Sequence, residues 1–212
     1  MKLNEKEALR YLGFRGKPAD ADTDEMIREI GGEMLRTLTP KCVYKRYDIK
    51  VLENAVELDG WRIESIKLSR HLRGCKAAYL FAATLGLQAD MMIRRLSALN
   101  MARGTVAHSV ANALIEDYCD EMQAQIAEKE AATGLFLKPR YSPGYGDFVL
   151  ESQKEIFARL ECAKRIGLTL TDTMLMVPFK SVTAVIGVTD APTCTYVKCR
   201  GCANTDCEFR EI

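Results

Sequence analysis

The sequence has 212 residues, of which 48% are hydrophobic, and its 30 Lys and Arg nearly balance its 29 Asp and Glu, giving a net charge of +1. This balance argues against wholesale electrostatic binding of nucleic acid, which needs a surplus of cations on one face. The sequence has no apolar run long enough to span a membrane and no signal-peptide core near its start. We therefore expect a cytoplasmic protein with reduced cysteines that binds neither nucleic acid nor a membrane.

The first third of the chain is predicted to contain two helices followed by a β region. Asn4 and Asp22 are each followed three residues later by a glutamate, a pattern that indicates the start of a helix. A strand is indicated near 43–49, and Asp59-Gly60 lies between two short apolar segments, which is typical of a β-hairpin. One further helical turn is indicated at 69–72.

The middle of the chain combines a buried strand with two helices. Residues 77–85 form a continuous apolar run, typical of a strand that is buried on both faces. Helices are predicted at 88–99 and at 105–132, and Gly134 ends the second of them. The apolar residues of that helix recur every four positions and predict a stripe that faces the core, formed by Val106, Val110, Leu114, Tyr118, Met122 and Ile126.

The last third is predicted to contain a loop, a helix and two strands. Residues 140–147 are rich in turn-forming residues, and a helix is predicted over 151–165. Strands at 174–177 and 182–188 could pair with each other around residues 178–181. Lys180-Ser181 would then be either a binding loop or, as we expect, a solvated hairpin end. Because helices and strands are mixed without regular alternation, the predicted fold class is α+β, a single domain with a mainly antiparallel sheet and flanking helices.

The loop at 140–147 carries side chains suited to a small charged ligand. Pro143-Gly144 favours a tight turn, because proline fixes one φ and glycine accepts a positive φ at the next residue. Arg140 can form a forked pair of hydrogen bonds with a carboxylate, and the rings of Tyr141 and Tyr145 can stack on a base or contact a cation. A carboxylate, an adenine and a sulfonium are the parts of S-adenosylmethionine, although an ordinary polar loop has the same composition.

Several blocks of the sequence resemble one known family in residue type, order and spacing. They are Arg140-x-x-Pro-Gly-Tyr145, Arg165-Ile-Gly-Leu-Thr-Leu-Thr-Asp-Thr173, Met176-x-Pro178 and Ser181-Val-Thr-Ala184. Together they are similar to the S-adenosylmethionine-binding part of the activation domain of cobalamin-dependent methionine synthase. The first half resembles the stand-alone version of that domain, in Ser69-x-His-Leu-x-Gly-Cys75 and Phe81-Ala-Ala-Thr-Leu-Gly86.

The resemblance implies a binding site for S-adenosylmethionine. Arg140 would bind the carboxylate of the ligand, and Tyr145 would have the catalytic position, lining the face where the methyl donor meets the corrin ring. The family places an acid for the ligand's amine on the preceding long helix. Asn112 aligns with that acid and Glu116 follows one turn later, so both are candidates. The complete set of implied binding residues is Arg140, Ser142, Pro143, Gly144, Tyr145, Glu116 and Asn112.

The chemistry implied by the resemblance is the repair of an oxidised corrinoid. Cob(II)alamin takes up one electron from a separate donor and a methyl group from S-adenosylmethionine, which gives methylcobalamin. Because the sequence contains no folate, homocysteine or cobalamin module, we expect the cobalamin on a separate methionine synthase chain, with an electron donor such as a flavoprotein or a ferredoxin. Two alternatives remain open: activation of another corrinoid methyltransferase, and a metal-binding redox or scaffold protein whose function lies in its cysteines.

The two histidines are interpreted as structural. His71-Leu-Arg-Gly74 partly matches Asp-x-His-x-x-Gly, the motif in which a histidine of a cobalamin carrier binds cobalt. Ser69 stands where that motif has the aspartate that orients the imidazole, so cobalt binding by His71 is not expected. His108 lies beside the apolar stripe of the long helix.

Four of the eight cysteines are clustered in the sequence, at Cys194, Cys199, Cys202 and Cys207. In a reduced protein such a cluster indicates metal or redox chemistry. Zinc prefers four sulfur ligands, and the spacing also matches part of an iron–sulfur pattern. Zinc, an iron–sulfur cluster and an empty or redox-active set of thiols therefore all remain open, and a cluster would supply the electron that the methylation needs.

The domain organisation follows from these motifs. We predict an activation-domain-like unit at 1–190, with an N-terminal half at 1–134 and an S-adenosylmethionine-motif half at 135–190. A cysteine-rich tail occupies 191–212. The other cysteines have apolar neighbours and are expected to be buried: Cys42, Cys75, Cys119 and Cys162.

Overall fold

The structure, a computed structural model, describes residues 1–14 and 17–191. The strands of its central sheet are β1 (Lys41–Val51), β2 (Ala55–Leu58), β3 (Trp61–Glu64), β4 (Ala77–Thr84), β5 (Phe136–Leu137) and β8 (Ser181–Thr189). They pair in the order β3-β2-β1-β4-β8-β5, and every pair is antiparallel. A separate ribbon pairs β6 (Thr169–Leu170) with β7 (Met176–Val177). The predicted α+β class with a mainly antiparallel sheet is confirmed.

The helices are α1 (Glu5–Tyr11), α2 (Ala21–Thr37), α3 (Ile66–His71), α4 (Leu87–Leu99), α5 (Met101–Ala131), α6 (Gln153–Leu160) and α7 (Cys162–Ile166), with a 3-10 turn at Leu150–Ser152. Asn4 caps α1 as predicted, since its side chain accepts a hydrogen bond from the Glu7 amide. The cap of α2 is Asp20 and not Asp22, because Asp20 is extended and its carboxylate accepts from the Thr23 amide at 2.8 Å. No helix of the described residues is long and apolar enough to cross a membrane.

Helices cover both faces of the central sheet. Alternate residues of β4 and β8 pack against α1, α2, α4 and α5 on one face, and the intervening residues pack against α3, α6 and α7 on the other. All eight residues of β4 are buried. The strand predicted to be buried on both faces is therefore confirmed, and its residues are apolar throughout because helices cover both sides of the sheet.

Helix α5 is the longest element and begins four residues before its predicted start, at an Asn100 cap. The predicted stripe faces the core: Val106, Val110, Leu114 and Ile126 are fully or nearly fully buried. Burial also extends around the helix to residues outside the stripe, such as Ala107 and Ala111, because α1, α2 and α4 pack against its other sides.

Two predictions for the last third are wrong. β8 does not pair with β7: it lies between β4 and β5 in the central sheet, with Ser181 opposite Thr84. In this position the backbone of residues 181–188 pairs with β4. The helix predicted over 151–165 is broken at Glu161, whose φ is +51°, and the break lets Leu160 and Cys162 on either side of it both be fully buried.

Candidate functional site

The segment Ser142–Tyr145 forms a tight turn, as the sequence predicts. The Tyr145 amide donates to the Ser142 carbonyl at 3.1 Å, and Gly144, the third residue of the turn, has a φ of +94°. Two further hydrogen bonds form a second turn over the following residues. The Gly144 amide donates to the Phe148 carbonyl at 2.7 Å, and the Phe148 amide donates to the Tyr145 carbonyl at 3.0 Å. Phe148 is buried and anchors this double turn on the sheet.

Tyr141 joins the turn to the outer edge of β8. Its amide and carbonyl exchange two hydrogen bonds of 2.9 Å with Val185. Continued in this register, residue 143 would pair with Thr183, but Pro143 has no N–H and the chain turns away. In the described part of the chain no strand or bridge pairs with Thr183 on this side. The N–H and C=O groups of successive strand residues point alternately to the two sides of the strand. Those of Thr183 therefore point to the same side as those of Val185, toward this open edge.

The two ends of helix α3 bind residues 138–148, which we call the motif segment. At the start of α3, the Asp147 carboxylate accepts from the Ser65 hydroxyl and from the amides of Ile66 and Lys67, at 2.8 and 3.1 Å. At its end, the Lys138 ammonium donates to the carbonyls of His71 and Arg73, at 2.9 and 2.8 Å. The position of the turn therefore depends on α3.

His71 has a structural environment. Its Nε2 lies 2.9 Å from the Pro139 carbonyl oxygen, and its ring lies 5.0 Å from the ring of Tyr141. Burial lowers the pKa of His71, and this outweighs the hydrogen bond to Pro139, which raises it. A largely buried ring that contacts the motif segment on two sides supports that segment.

Replacing Asp147 by alanine is expected to lower the melting temperature. The Ser65 hydroxyl and the two helix amides hold the pKa of Asp147 below its usual value, so the folded protein binds this proton less readily than the unfolded chain. The stabilisation is therefore fully present above the unfolded pKa, about 4, and is lost as the pH falls through the folded pKa. Thermal melts of wild type and variant should differ at pH 7 and converge at low pH. Replacing the exposed Asp172 by alanine is the control and should leave the melts unchanged.

Arg140 connects the motif segment to α5. Its guanidinium donates to Glu116 at 3.1 Å, to Asp120 at 2.6 Å and to the Gln123 side chain at 3.0 Å, and only 7% of the side chain is exposed. The structure thus brings Glu116 and Arg140 together, as the resemblance implies for a shared site. A ligand carboxylate that binds Arg140 would have to replace one of these partners.

Lys180 is buried and lies one helical turn from the Arg140 cluster. Its ammonium donates to Asn112 Oδ1 at 2.7 Å, and Asn112 and Glu116 are four residues apart, on the same face of α5. Lys180 is 5% exposed, so the predicted solvated hairpin end is wrong. The sequence contains a signal for its burial, because Lys180 has the same strand parity as Val182, Ala184 and Ile186, which face α5.

The stretch of the β8 edge at Thr183 that is unpaired in the described part of the chain, taken together with these residues and the 142–145 turn, is called the edge groove below. Asn112 and Glu116 of α5 belong to it through their hydrogen bonds to Lys180 and Arg140, and the 142–145 turn belongs to it because it follows Tyr141, which pairs with this edge at Val185. Lys180 and Arg140 are the two cations that donate hydrogen bonds to this face of α5. The groove thus combines open peptide groups with two positive charges, a combination suited to a ligand that has both hydrogen-bonding edges and an anionic end.

Tyr145 projects from the turn beside this groove. Its backbone is fixed by hydrogen bonds at both the amide and the carbonyl, its ring meets the Tyr141 ring edge-on at 5.8 Å, and 58% of the residue is exposed. Val149 and Leu150, which follow the double turn, are also exposed. The turn therefore presents a fixed aromatic ring with apolar neighbours to solvent.

The predicted metal ligands Cys194, Cys199, Cys202 and Cys207 lie outside the described residues. In the ranges 1–14 and 17–191, no group of three or more His, Cys, Asp or Glu side chains is placed to hold a metal ion. The predicted burial of the remaining cysteines is confirmed for Cys75, Cys119 and Cys162, while Cys42 is partly buried. Burial raises the pKa of Cys162 to about 12, so this thiol is neutral and unreactive at pH 7.

Comparison with known proteins gives a family match and a structural match. The family model described as the activation domain of vitamin B12-dependent methionine synthase matches residues 77–208, more than half of the chain. A crystal structure of the MetH reactivation domain bound to AdoHcy is similar in fold, with a TM-score of 0.60 and 18% sequence identity, and the match covers 89% of this chain and 67% of that chain. No curated protein matches in a sequence search.

Proposed function

Because the chain belongs to the family of activation domains of vitamin B12-dependent methionine synthase, we propose that it binds S-adenosylmethionine in the edge groove. The observation that carries this proposal is the open edge of β8 at Thr183, beside the 142–145 turn. The similar MetH reactivation domain was crystallised with AdoHcy, the product that S-adenosylmethionine leaves when it loses its methyl group.

The open peptide edge fits the adenine of this ligand. Adenine presents an N6 donor next to the N7 acceptor, and the C=O and N–H of Thr183 on the groove side are a complementary acceptor and donor. Ser142, Pro143 and Gly144 belong to the turn of this groove, where the missing side chain of Gly144 allows the ligand to approach the backbone. Glu116 is the proposed acceptor for the ligand's amine, because a carboxylate is charged and can accept further hydrogen bonds beside the one from Arg140, whereas Asn112 is neutral and its oxygen accepts from Lys180.

We propose that the bound ligand methylates a cobalamin that is carried by a separate methionine synthase chain. One electron reduces cob(II)alamin to cob(I)alamin, which attacks the methyl carbon. The carbon–sulfur bond breaks, its electron pair stays on sulfur, and methylcobalamin and S-adenosylhomocysteine result. The electron comes from a reduced flavoprotein or a ferredoxin. The part of this chain is to orient the methyl group and to exclude water.

Tyr145 is the proposed catalytic residue, at the face where the groove meets the partner. Its fixed backbone and exposed ring place an aromatic surface beside the methyl donor, and Val149 and Leu150 extend this surface. An aromatic ring has a large apolar area with few rotatable bonds, so it can be buried against a planar corrin at little entropic cost.

The four clustered cysteines are the proposed site of a zinc ion or an iron–sulfur cluster. Their close spacing in the sequence suits four sulfur ligands around one centre. Protein purified without oxygen that is brown and contains iron and sulfide would have a cluster able to pass the electron. Colourless protein with one zinc per chain would have a structural site, and the electron would then come only from the separate donor.

Calorimetry tests the binding proposal. Titration of the chain with S-adenosylmethionine and with S-adenosylhomocysteine should give saturable binding with one site per chain, because both share the adenosine and amino-acid parts. Adenosine triphosphate is the control ligand: it has the same adenosine but no amino-acid end. Absence of heat with both methionine-derived ligands would contradict the proposal.

A further inference from the structure

The two cations of the edge groove differ in how their charge is balanced. Arg140 has two carboxylate partners, Glu116 and Asp120, and a third partner in Gln123. Its charge is compensated by the protein itself. In addition, these bonds tie the motif segment to α5, so that Arg140 already has a role in holding the groove together.

Lys180 is a buried cation without such compensation. Its hydrogen-bond partner is the neutral amide of Asn112, and among the described residues no carboxylate forms an ion pair with it. Burial lowers the pKa of Lys180, and the more distant Asp90 only partly opposes this effect. A buried ammonium that has no counter-ion is costly, and a bound anion would remove that cost.

The ammonium of Lys180 has more N–H donors than its hydrogen bond to Asn112 uses. It has three N–H donors, and the Asn112 oxygen accepts one of them at 2.7 Å. The Phe179 ring, 5.2 Å from the ammonium, flanks it. Lys180 immediately precedes β8, and its partner Asn112 lies one turn of α5 before Glu116, a partner of Arg140.

We propose that Lys180, positioned by Asn112, binds the α-carboxylate of S-adenosylmethionine. This inference rests on the proposed function of the edge groove. It makes Arg140 a positioning residue for the turn, and it directs the amino-acid end of the ligand toward Phe179 and Lys180, with the adenosine nearer to the 142–145 turn.

The test compares two ligands that differ only in the carboxylate: S-adenosylmethionine and decarboxylated S-adenosylmethionine, which keeps the sulfonium and the amine. In calorimetry, Lys180→Met should weaken binding of the first about ten- to hundredfold. Its affinity for the second should change less than about threefold. Lys180→Arg should recover part of the preference for the carboxylate. Arg140→Met should lower the melting temperature and weaken the binding of both ligands by the same factor.

The possible outcomes separate this inference from the proposed function. The inference is wrong if Lys180→Met melts near the wild-type temperature and still binds S-adenosylmethionine more tightly than the decarboxylated ligand, to the same extent as wild type. If the preference is lost in Arg140→Met instead, the carboxylate binds Arg140 and the inference is again wrong, while the proposed function stands. If wild type binds neither ligand, the proposed function fails and this inference fails with it.

Discussion

Replacing Gly144 by valine is expected to weaken binding of S-adenosylmethionine by about tenfold or more. Gly144 has a φ of +94°, a region that β-branched residues almost never adopt. Holding valine there costs roughly 1–3 kcal/mol of backbone strain, and about 1.4 kcal/mol corresponds to tenfold in affinity. The turn can relieve this strain only by opening, which moves one part of the edge groove. Calorimetry with the purified variant measures the effect.

Gly134 provides a matched control. It has a φ of +75° and open space around its α-carbon, and it lies just beyond the end of α5. Gly134→Val should therefore lower the melting temperature through similar strain while leaving the affinity for S-adenosylmethionine unchanged. Equal losses of affinity in both variants would show that strain acts through global stability, and the role given to the turn would be wrong.

Tyr145→Ala is expected to slow methyl transfer to a partner's cobalamin roughly tenfold or more, with little change in ligand affinity. The backbone of Tyr145 is fixed by the turn, so removing its ring should leave the groove intact. The lost contact is the one that positions the methyl donor against the corrin, and small errors of position have large effects on rate. The measurement is the rate of methylcobalamin formation, together with calorimetry on the same preparation.

Two further variants sharpen this test. Tyr145→Phe keeps the ring and should keep most of the rate. Phe136→Ala removes another exposed aromatic ring, on β5 near the opposite end of β8, and should have no effect. If Tyr145→Ala weakens only ligand binding, Tyr145 is a wall of the groove and is not catalytic.

Much of the fold could be predicted from the sequence where local patterns are strong. The Asp59-Gly60 hairpin forms, with both residues at positive φ, because this dipeptide accepts a conformation that few others do. The apolar run of β4 and the stripe of α5 are where they were expected. Each of these signals depends on neighbouring residues along the chain.

The errors concern partners that are distant in the sequence. Nothing in the sequence around β8 indicates that it pairs with β4, about a hundred residues earlier. Sequence patterns alone therefore favour pairing with β7, which is only a short connection away. The break at Glu161 has the same origin, because the helix pattern continues through it and only the packing of Leu160 and Cys162 requires a turn.

The candidate site shows the same division. The residue types at Pro143-Gly144 predict the turn. The ion pairs of Arg140 with Glu116 and Asp120 cannot be predicted in this way, because they depend on the packing of α5 against the motif segment. A solvated hairpin end is predicted for Lys180 because it lies in the short connection between two segments with strand patterns. Its burial follows from the side of β8 that it shares with Val182 and Ala184, which α5 covers.

The most direct test of the account is a reactivation assay with two separate chains. A cobalamin-dependent methionine synthase chain that lacks an activation domain is loaded with cob(II)alamin, and this protein, S-adenosylmethionine with a labelled methyl group and a low-potential reductant are added. We predict labelled methylcobalamin on the partner chain, dependent on all four components. Equal methylation in the absence of this protein, or no methylation in its presence while a known activation domain succeeds with the same partner, would contradict the account.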